Sequence, residues 1–141
     1  MKLTIAQDIY DDMVKHCIEG LPNEACGFLA GPRDGSASHI YPLTNAAASP
    51  VFYRPADREM IAAFSDMDQN DTDLVAIFHS HVATDPYPSP TDRREAHYPD
   101  AVYLIVSLTD PDAPRTKGYL IHKADWRDED GKIEEVDLVI S

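Results

Sequence analysis

The chain has 141 residues, 43% of them apolar, and a formal net charge of −13. This length predicts one domain, residues 1–141, with room for a core of ordinary size. The negative charge excludes nucleic acid as a partner, because phosphate binding needs a basic surface.

Other functional classes are limited by what the sequence lacks. No stretch has the apolar length of a membrane span, and "MKLTIAQD" at the N-terminus lacks the apolar core of a signal peptide. We therefore expect a cytoplasmic protein without a membrane partner. Cys17 and Cys26 are too few for a disulfide framework and are most simply small buried hydrophobes. The acidic runs at 66–73 and 125–135 predict a solvated surface, with steering of a basic partner as the alternative.

The first elements are a strand and a helix. Residues 2–6 alternate weakly between apolar and polar, which predicts a short strand. From Gln7 the apolar residues recur at helical spacing until Gly20 ends the helix. The predicted apolar face consists of Ile9, Met13, Val14, Cys17 and Ile18.

Strands and a second helix follow in the middle of the chain. "EACGFLAG" (24–31) predicts a strand before a turn, and "HIYPL" (39–43) predicts a strand that its proline places at a sheet edge. "VFYRPA" (51–56) is ambiguous and is expected to be a short strand. Residues 56–68 predict a helix, with an apolar face of Met60, Ile61, Phe64 and Met67.

The last part of the chain is dominated by strands. "LVAIFHSHV" (74–82) and "AVYLIVSL" (101–108) are nearly continuously apolar, which predicts buried strands. "SPTDRREAH" (89–97) predicts a short helix between them, and "GYLIHKA" (118–124) and "EEVDLVIS" (134–141) predict the final strands. Helices interspersed among strands indicate an α+β fold, a mixed central sheet flanked by helices.

Two histidines stand at the open end of the first buried strand. Because side chains alternate along a strand, His79 and His81 point the same way. Two imidazoles on one face can hold a single cation at about 2.0–2.1 Å per bond, the distance zinc prefers for nitrogen. Asp92 is within reach as a third ligand if the intervening loop folds back. Three protein ligands leave a position for water, which is typical of catalytic zinc.

The segment around Asp92 also has a purely structural interpretation. Ser89, Pro90 and Asp92 have the features of a helix start, with Ser89 as the N-cap and proline at the first helical position. This interpretation leaves the two histidines unexplained. It is compatible with ligation, because a helix start fixes the direction of the carboxylate.

The full pattern is longer than either part. His79, His81, Ser89 and Asp92 fit H-x-H, seven residues, S, two residues, D. This pattern resembles the metal motif of the JAMM metallopeptidases, the MPN-domain family that includes deubiquitinating enzymes. The family also places a glutamate on the strand after the first helix, a position that Glu24 occupies here.

The resemblance extends over almost the whole chain. Segments similar to compact bacterial members of the family stand here as "NEACGFLAG", "TNAAASPVFYR", "HSHVATDPYPSPTD" and "YLIVSLTDP". It implies a single MPN domain with a layering like that of cytidine deaminases. Five further residues in these segments are expected to shape the cleft or to support its loops: Asn45, Tyr53, Arg54, Thr84 and Tyr87.

The resemblance also implies a site and a reaction. His79, His81 and Asp92 would hold one Zn²⁺ per chain, with water as the fourth ligand. Glu24 would take a proton from that water and deliver it to the leaving amine, and Ser89 would donate a hydrogen bond to the oxyanion. The implied substrate is a ubiquitin-like sulfur-carrier protein whose Gly-Gly tail binds as an extended strand. A compact bacterial member of the family removes a C-terminal cysteine from such a carrier in a route of cysteine synthesis.

Four alternatives differ in class. A deubiquitinase-like isopeptidase would remove a ubiquitin-like modifier from proteins, and a non-catalytic MPN scaffold would only bind partners. A cysteine hydrolase would use Cys26, although nothing in the sequence marks that thiol as activated. A zinc deaminase is excluded, because its H-x-E and P-C-x-x-C motifs are absent. The sequence does not specify the oligomeric state.

Overall fold

The computed structural model describes residues 1–141, which form eight strands in one sheet and three helices. In chain order the elements are β1 (Lys2–Ile5), α1 (Gln7–Glu19), β2 (Cys26–Gly31), β3 (Ser36–Ala37), β4 (His39–Leu43), α2 (Asp57–Gln69), β5 (Asp73–His81), α3 (Pro90–Arg94), β6 (Val102–Ser107), β7 (Arg115–His122) and β8 (Lys132–Ile140).

The strand order across the sheet is β3-β1-β8-β7-β6-β5-β2-β4. The sheet is mixed: β1 runs parallel to both β3 and β8, β5 runs parallel to β6, and the remaining pairs are antiparallel. Its far end curls back, since the Ser38 N–H donates to the carbonyl of Ala30 in β2. The predicted α+β fold with a mixed sheet covered by helices is confirmed.

The two faces of the sheet bury different sets of side chains. One face packs under α1 in a cluster that includes Met13, Leu29 and Phe78. The other packs under α2 in a second cluster that includes Phe28 and Met67. Because β5 is covered on both faces, its nearly unbroken apolar sequence is what a central strand requires.

Both long helices form where the spacing predicts them, but their buried faces are narrower than predicted. In α1 the residues Ile9, Met13 and Cys17 are buried, whereas Ile18 is 39% exposed. In α2, Met67 is buried, whereas Ile61 is 70% exposed. Each helix touches the sheet along one line, so the residues at the border of the apolar stripe stay outside the contact.

All but one of the predicted strands form, and the secondary structure differs from the prediction at three places. β4 is the edge strand that Pro42 indicates. The prediction of a strand at 51–56 is wrong: this segment is irregular and makes only an isolated bridge between Asn45 and Pro55. The two-residue strand β3 was not predicted, since two residues carry no periodicity. α3 is one turn long, shorter than the predicted 89–97.

No helix of the protein is both long and apolar enough to cross a membrane. The cytoplasmic location stays a prediction.

Candidate functional site

The end of β5 places two histidines side by side in the interior. His79 pairs with Cys26 of β2 and with Ile105 of β6, so neighbouring strands hold it on both sides. His79 is fully buried, and His81 is 4% exposed. Their Nε2 atoms lie 3.2 Å apart, which agrees with the common direction predicted from strand alternation.

The start of α3 adds a carboxylate to the pair. Oδ2 of Asp92 lies 3.0 Å from Nε2 of His79 and 2.9 Å from Nε2 of His81. The same residue belongs to a capping box: its N–H donates to the Ser89 hydroxyl, and its carboxylate accepts the Ser89 N–H. The helix start and the carboxylate cluster are therefore one construction, and the cap fixes where the carboxylate points.

The side chains of His79, His81 and Asp92, called the metal cluster below, fit a metal ion. Two imidazole nitrogens and a carboxylate oxygen converge within 4.8 Å of one another, all buried. Nδ1 of His81 lies 2.9 Å from the carbonyl of Asp85; when the ring is neutral and donates there, Nε2 presents a lone pair. Nδ1 of His79 is buried without a partner. Burying lone pairs that face one another without a cation between them costs free energy. Nitrogen and oxygen donors of this kind suit divalent transition metals.

The charges and hydrogen bonds of the cluster shift the pKa values of Asp92 and His81 in opposite directions. Burial alone would raise the pKa of Asp92, but the charge of His79 and the hydrogen bonds from both histidines hold it well below its usual range. Burial alone would lower the pKa of His81, but its bonds to Asp92 and to the Asp85 carbonyl raise it. The carboxylate is thus kept ionised, which is the form that ligates a metal.

The loop between the histidines and α3 is held through its main chain. Three consecutive carbonyls, those of residues 84–86, accept side-chain hydrogen bonds in turn. The donors are the Ser107 hydroxyl at 2.7 Å, Nδ1 of His81 at 2.9 Å and the Tyr119 hydroxyl at 2.6 Å. The middle carbonyl orients the His81 ring, and its neighbours are fastened to β6 and β7. Sequence reasoning missed Ser107 and Tyr119, because a bond to a backbone carbonyl leaves no pattern of residue types.

Two of the family-like residues lie in or beside this loop. Thr84 is exposed and contributes its carbonyl to the bond with Ser107. Tyr87 is 51% exposed and packs edge-on against Tyr119, with 5.5 Å between ring centroids. Both side chains therefore face the surface beside the metal cluster, while their backbone belongs to the held loop.

Glu24 is fixed just before β2 by bonds to two other segments. Its N–H donates to the carbonyl of Ser49, and its carbonyl accepts from Nδ2 of Asn45, both at 2.9 Å. The adjacent Ala25 exchanges bonds with Ser80, whose hydroxyl accepts the Ala25 N–H at 2.8 Å. Ser80 lies between the two histidines in β5, so the position of Glu24 is tied directly to the metal cluster.

The Glu24 carboxyl is in an unusual environment for an acid. It is 5% exposed, and its Oε1 has no hydrogen-bond partner. Burial and then the negative charge of Asp92 raise its pKa to about 8, against a smaller opposing effect of His81. A carboxyl with a pKa near neutrality beside a metal cluster can both accept and return a proton.

Tyr53 and Asn45 close the site on the side of the 44–56 loop. The Tyr53 ring stacks on His79 with 4.5 Å between centroids. Asn45 satisfies its amide completely: Nδ2 donates to the carbonyls of Glu24 and Phe52, and Oδ1 accepts the N–H groups of Ala47 and Arg54. Asn45 is therefore a loop support, and Tyr53 forms a wall of the site.

The thiol required by the cysteine-hydrolase alternative is inaccessible. Cys26 is fully buried in the core under α2. Burial, followed by the negative charges of Glu59 and Glu24, raises the pKa of its thiol to about 12. Reactive cysteines have a lowered pKa and partial exposure, so this site is not that of a cysteine hydrolase.

Comparisons with known proteins identify the family of the chain. Residues 6–119 match the family described as prokaryotic homologs of the JAB domain. The chain is 44% identical to a CysO-cysteine peptidase of Mycobacterium tuberculosis, over 84% of this chain and 82% of the relative. It is 38% identical to a desampylase of Haloferax volcanii, over 75% of this chain and 81% of the relative. The solution structure of DSY2949 from Desulfitobacterium hafniense superposes with a TM-score of 0.86 at 37% identity, covering 100% of this chain and 93% of the other.

Proposed function

Because this chain belongs to the JAB domain family, we propose that it is a zinc-dependent peptidase of ubiquitin-like sulfur-carrier proteins. Its preferred reaction is the release of cysteine from the C-terminus of a carrier–cysteine adduct. The observation that carries the proposal is the convergence of His79, His81 and Asp92 beside a buried Glu24 whose pKa is near neutrality.

The proposed metal is zinc, one ion per chain. His79, His81 and Asp92 would hold it through two imidazole nitrogens and one carboxylate oxygen, a donor set typical of hydrolytic zinc. When bound, zinc polarises a carbonyl and lowers the pKa of a coordinated water from 15.7 to about 7. The loop carbonyl on Nδ1 of His81 keeps that ring in the tautomer that ligation needs.

The chain's own groups would handle the protons and the developing charge. Glu24 accepts a proton from the attacking water and later donates it to the nitrogen of the breaking C–N bond. The Ser89 oxygen already accepts the Asp92 N–H, so its own proton is free to donate to the carbonyl oxygen as negative charge grows there. Water is consumed, and a carboxylate and an amine are produced.

The substrate is proposed from the relatives and from an open backbone edge. Relatives named CysO-cysteine peptidase and desampylase support the C-terminus of a ubiquitin-like carrier as the site of cleavage. Arg54 bonds inward, its N–H to Asn45 and its carbonyl to Ala46. The N–H and carbonyl of the preceding Tyr53 have no partner in the chain. This free edge supports binding of the carrier tail as an added extended strand.

A second candidate is hydrolysis of an isopeptide bond between a ubiquitin-like protein and a lysine. The relative named desampylase favours it. The chemistry at the carbonyl is the same, and only the group attached to the nitrogen differs. The non-catalytic scaffold has no comparable support, because the proposed ligands and Glu24 are all present and converge.

The test uses a ubiquitin-like sulfur carrier extended by one C-terminal cysteine, with a lysine-linked conjugate of the same carrier in parallel. We expect the zinc-loaded protein to shorten the adduct by one cysteine, as measured by mass spectrometry, faster than it cleaves the conjugate. Glu24→Gln should keep zinc, measured by elemental analysis, and lose about 10²–10⁴-fold in turnover. Glu129→Gln, at an exposed acid outside the proposed set of site residues, is the matched control. Unchanged turnover in Glu24→Gln would contradict the proposed role of Glu24 in proton transfer.

A further inference from the structure

A cavity adjoins the metal cluster on the face of the sheet covered by α2. Its volume is about 570 Å³. We call it the aromatic cavity, after its main lining residues Phe28, Phe52, Tyr53, Met60, Tyr98 and Tyr103. It shares two walls with the site: Tyr53, which stacks on His79, and Thr91, which directly precedes Asp92. A ligand that occupies this cavity therefore lies next to the reacting bond.

Two aromatic side chains of the lining are partly exposed to solvent. Phe52 is 41% exposed and Tyr98 is 40% exposed, although both line a concave site. Exposed aromatic side chains around a cavity gain free energy when a ligand covers them. The cavity thus favours an apolar group.

Two arginines without ion-pair partners stand at the same cavity. Arg54 and Arg94 line it, and neither has a carboxylate within 4.0 Å, although acidic residues outnumber Lys and Arg by 25 to 12. The guanidinium of Arg54 makes no hydrogen bond within the chain, and that of Arg94 has only a long contact of 3.4 Å with Thr91. By contrast, Arg33, Arg115 and Arg127 are paired with aspartates elsewhere. The free guanidinium donors suit the main-chain carbonyls of an extended peptide.

The size of the cavity favours the carrier side of the scissile bond over the leaving-group side. The proposed leaving group is a single cysteine, whereas a cavity of about 570 Å³ has room for a side chain of the longer carrier tail together with its neighbouring backbone. Tyr53, whose N–H and carbonyl have no partner in the chain, lines the same cavity. We propose that the aromatic cavity binds an apolar side chain of the carrier tail, just before its two glycines, and thereby selects which carriers are cleaved. This inference rests on the proposed function.

The experiment varies the tail and the cavity together. Carrier–cysteine adducts ending X-Gly-Gly-Cys are prepared with X as Leu, Ala or Asn, all uncharged because Arg54 and Arg94 line the cavity. We expect kcat/KM for Leu to exceed that for Asn by about 10-fold or more, as apolar pockets discriminate. Phe52→Ala, which removes an exposed wall, should bring the ratio to about 3-fold or less. Val51→Ala, the neighbouring exposed residue outside the cavity, should leave it unchanged.

Binding gives a second measurement that does not need turnover. The same adducts are titrated against Glu24→Gln by calorimetry, where Leu should bind more tightly than Asn, and Phe52→Ala in that background should remove the difference. An equal response to every X, or a preference that survives Phe52→Ala, overturns the inference while cleavage of the adducts keeps the proposed function. If no adduct is cleaved by the wild type, the proposed function fails. The titration then still tests whether the affinity for the adducts depends on the residue X through the cavity.

Discussion

At the scale of single residues, Glu24 is an acid that is buried where its ionised form is disfavoured. A buried carboxyl without a partner on Oε1 resists ionisation, and its pKa rises from an ordinary value of 4.5 to about 8. Such a group makes folding less favourable wherever the unfolded chain would ionise and the folded chain would not. The buried position that suits Glu24 to its proposed role in proton transfer therefore lowers the stability of the fold.

This placement predicts a pH-dependent effect of Glu24→Gln on the metal-free protein. Below pH 4.5 the carboxyl is protonated in both states, so the variant should match the wild type. As the pH rises from 4.5 to 8, only the unfolded wild type ionises freely, and the wild type loses stability relative to the variant. At pH 8 the variant should melt several degrees higher, measured by thermal unfolding with a chelator present. Equal melting temperatures across this range, or the same gain in Glu129→Gln, would contradict the assignment.

The residues of the site differ in how far local sequence pattern predicts their positions. Strand alternation suffices to pair His79 with His81, and the helix-start signature suffices to aim Asp92. Glu24 has no such local signal, and its position was predicted only from the family resemblance. Its burial depends on bonds from Ser49 and Asn45, residues more than twenty positions away along the chain. Contacts of this kind depend on the fold and are not encoded in local pattern.

At the scale of elements, the loop between β5 and α3 depends on two strands that follow it. β6 contributes Ser107 and β7 contributes Tyr119, and together they hold the loop whose middle carbonyl orients His81. Arg115 of β7 adds an ion pair with Asp85 at 2.8 Å. The loop thus holds His81, a proposed metal ligand, in a fixed orientation.

Tyr119→Phe is predicted to weaken metal binding while leaving the fold intact. The substitution removes the hydroxyl that donates to the Pro86 carbonyl but keeps the ring against Tyr87. Loss of such outer support typically costs about 10–100-fold in metal affinity, and we expect the lower end, near 10-fold. Competition with a chromophoric zinc chelator measures it. Tyr10→Phe, which removes a comparable hydroxyl bond to Thr116 away from the site, should bind zinc as the wild type does. Equal affinity in both variants would remove Tyr119 from the support of His81.

Elements with a strong period were predictable, and those fixed by tertiary contact were not. The apolar runs of β5 and β6 and the periodic residues of α1 and α2 identify themselves. The 51–56 segment has strand-like composition, but Asn45 binds its backbone at separate points and keeps it irregular. β3 exists because Ser36 and Ala37 pair with β1, a partner distant in sequence.

At the scale of the whole molecule, the metal cluster is a place where folding and ligand binding are coupled. The proposed ligands come from β5 and α3, which approach only in the folded chain, so the proposed zinc ion would bind the folded state preferentially. A ligand at about 1,000 times its dissociation constant adds about 4 kcal/mol to the free energy of unfolding.

Removal of the metal should therefore lower the melting temperature. We expect a decrease of about 10 °C or more when the zinc-loaded protein is treated with a chelator, measured by calorimetry at neutral pH. Asp92→Asn should show little difference between the two conditions, because it lacks one proposed ligand. A wild type whose melting temperature ignores zinc would contradict the proposed site. The single domain over residues 1–141 stays a prediction that the same transition addresses, since one domain should melt in one step.

The strand order has a consequence for how the protein is made. β1 lies between β3 and β8, and its core residues Leu3 and Ile5 are almost fully buried. β8 follows every other strand, so during synthesis β1 waits for its main partner until all of those strands have been made. The histidines and Asp92 are made well before β8. The proposed metal ligands of a growing chain are thus present while its sheet is unfinished, and chaperones have their longest opportunity to act on β1.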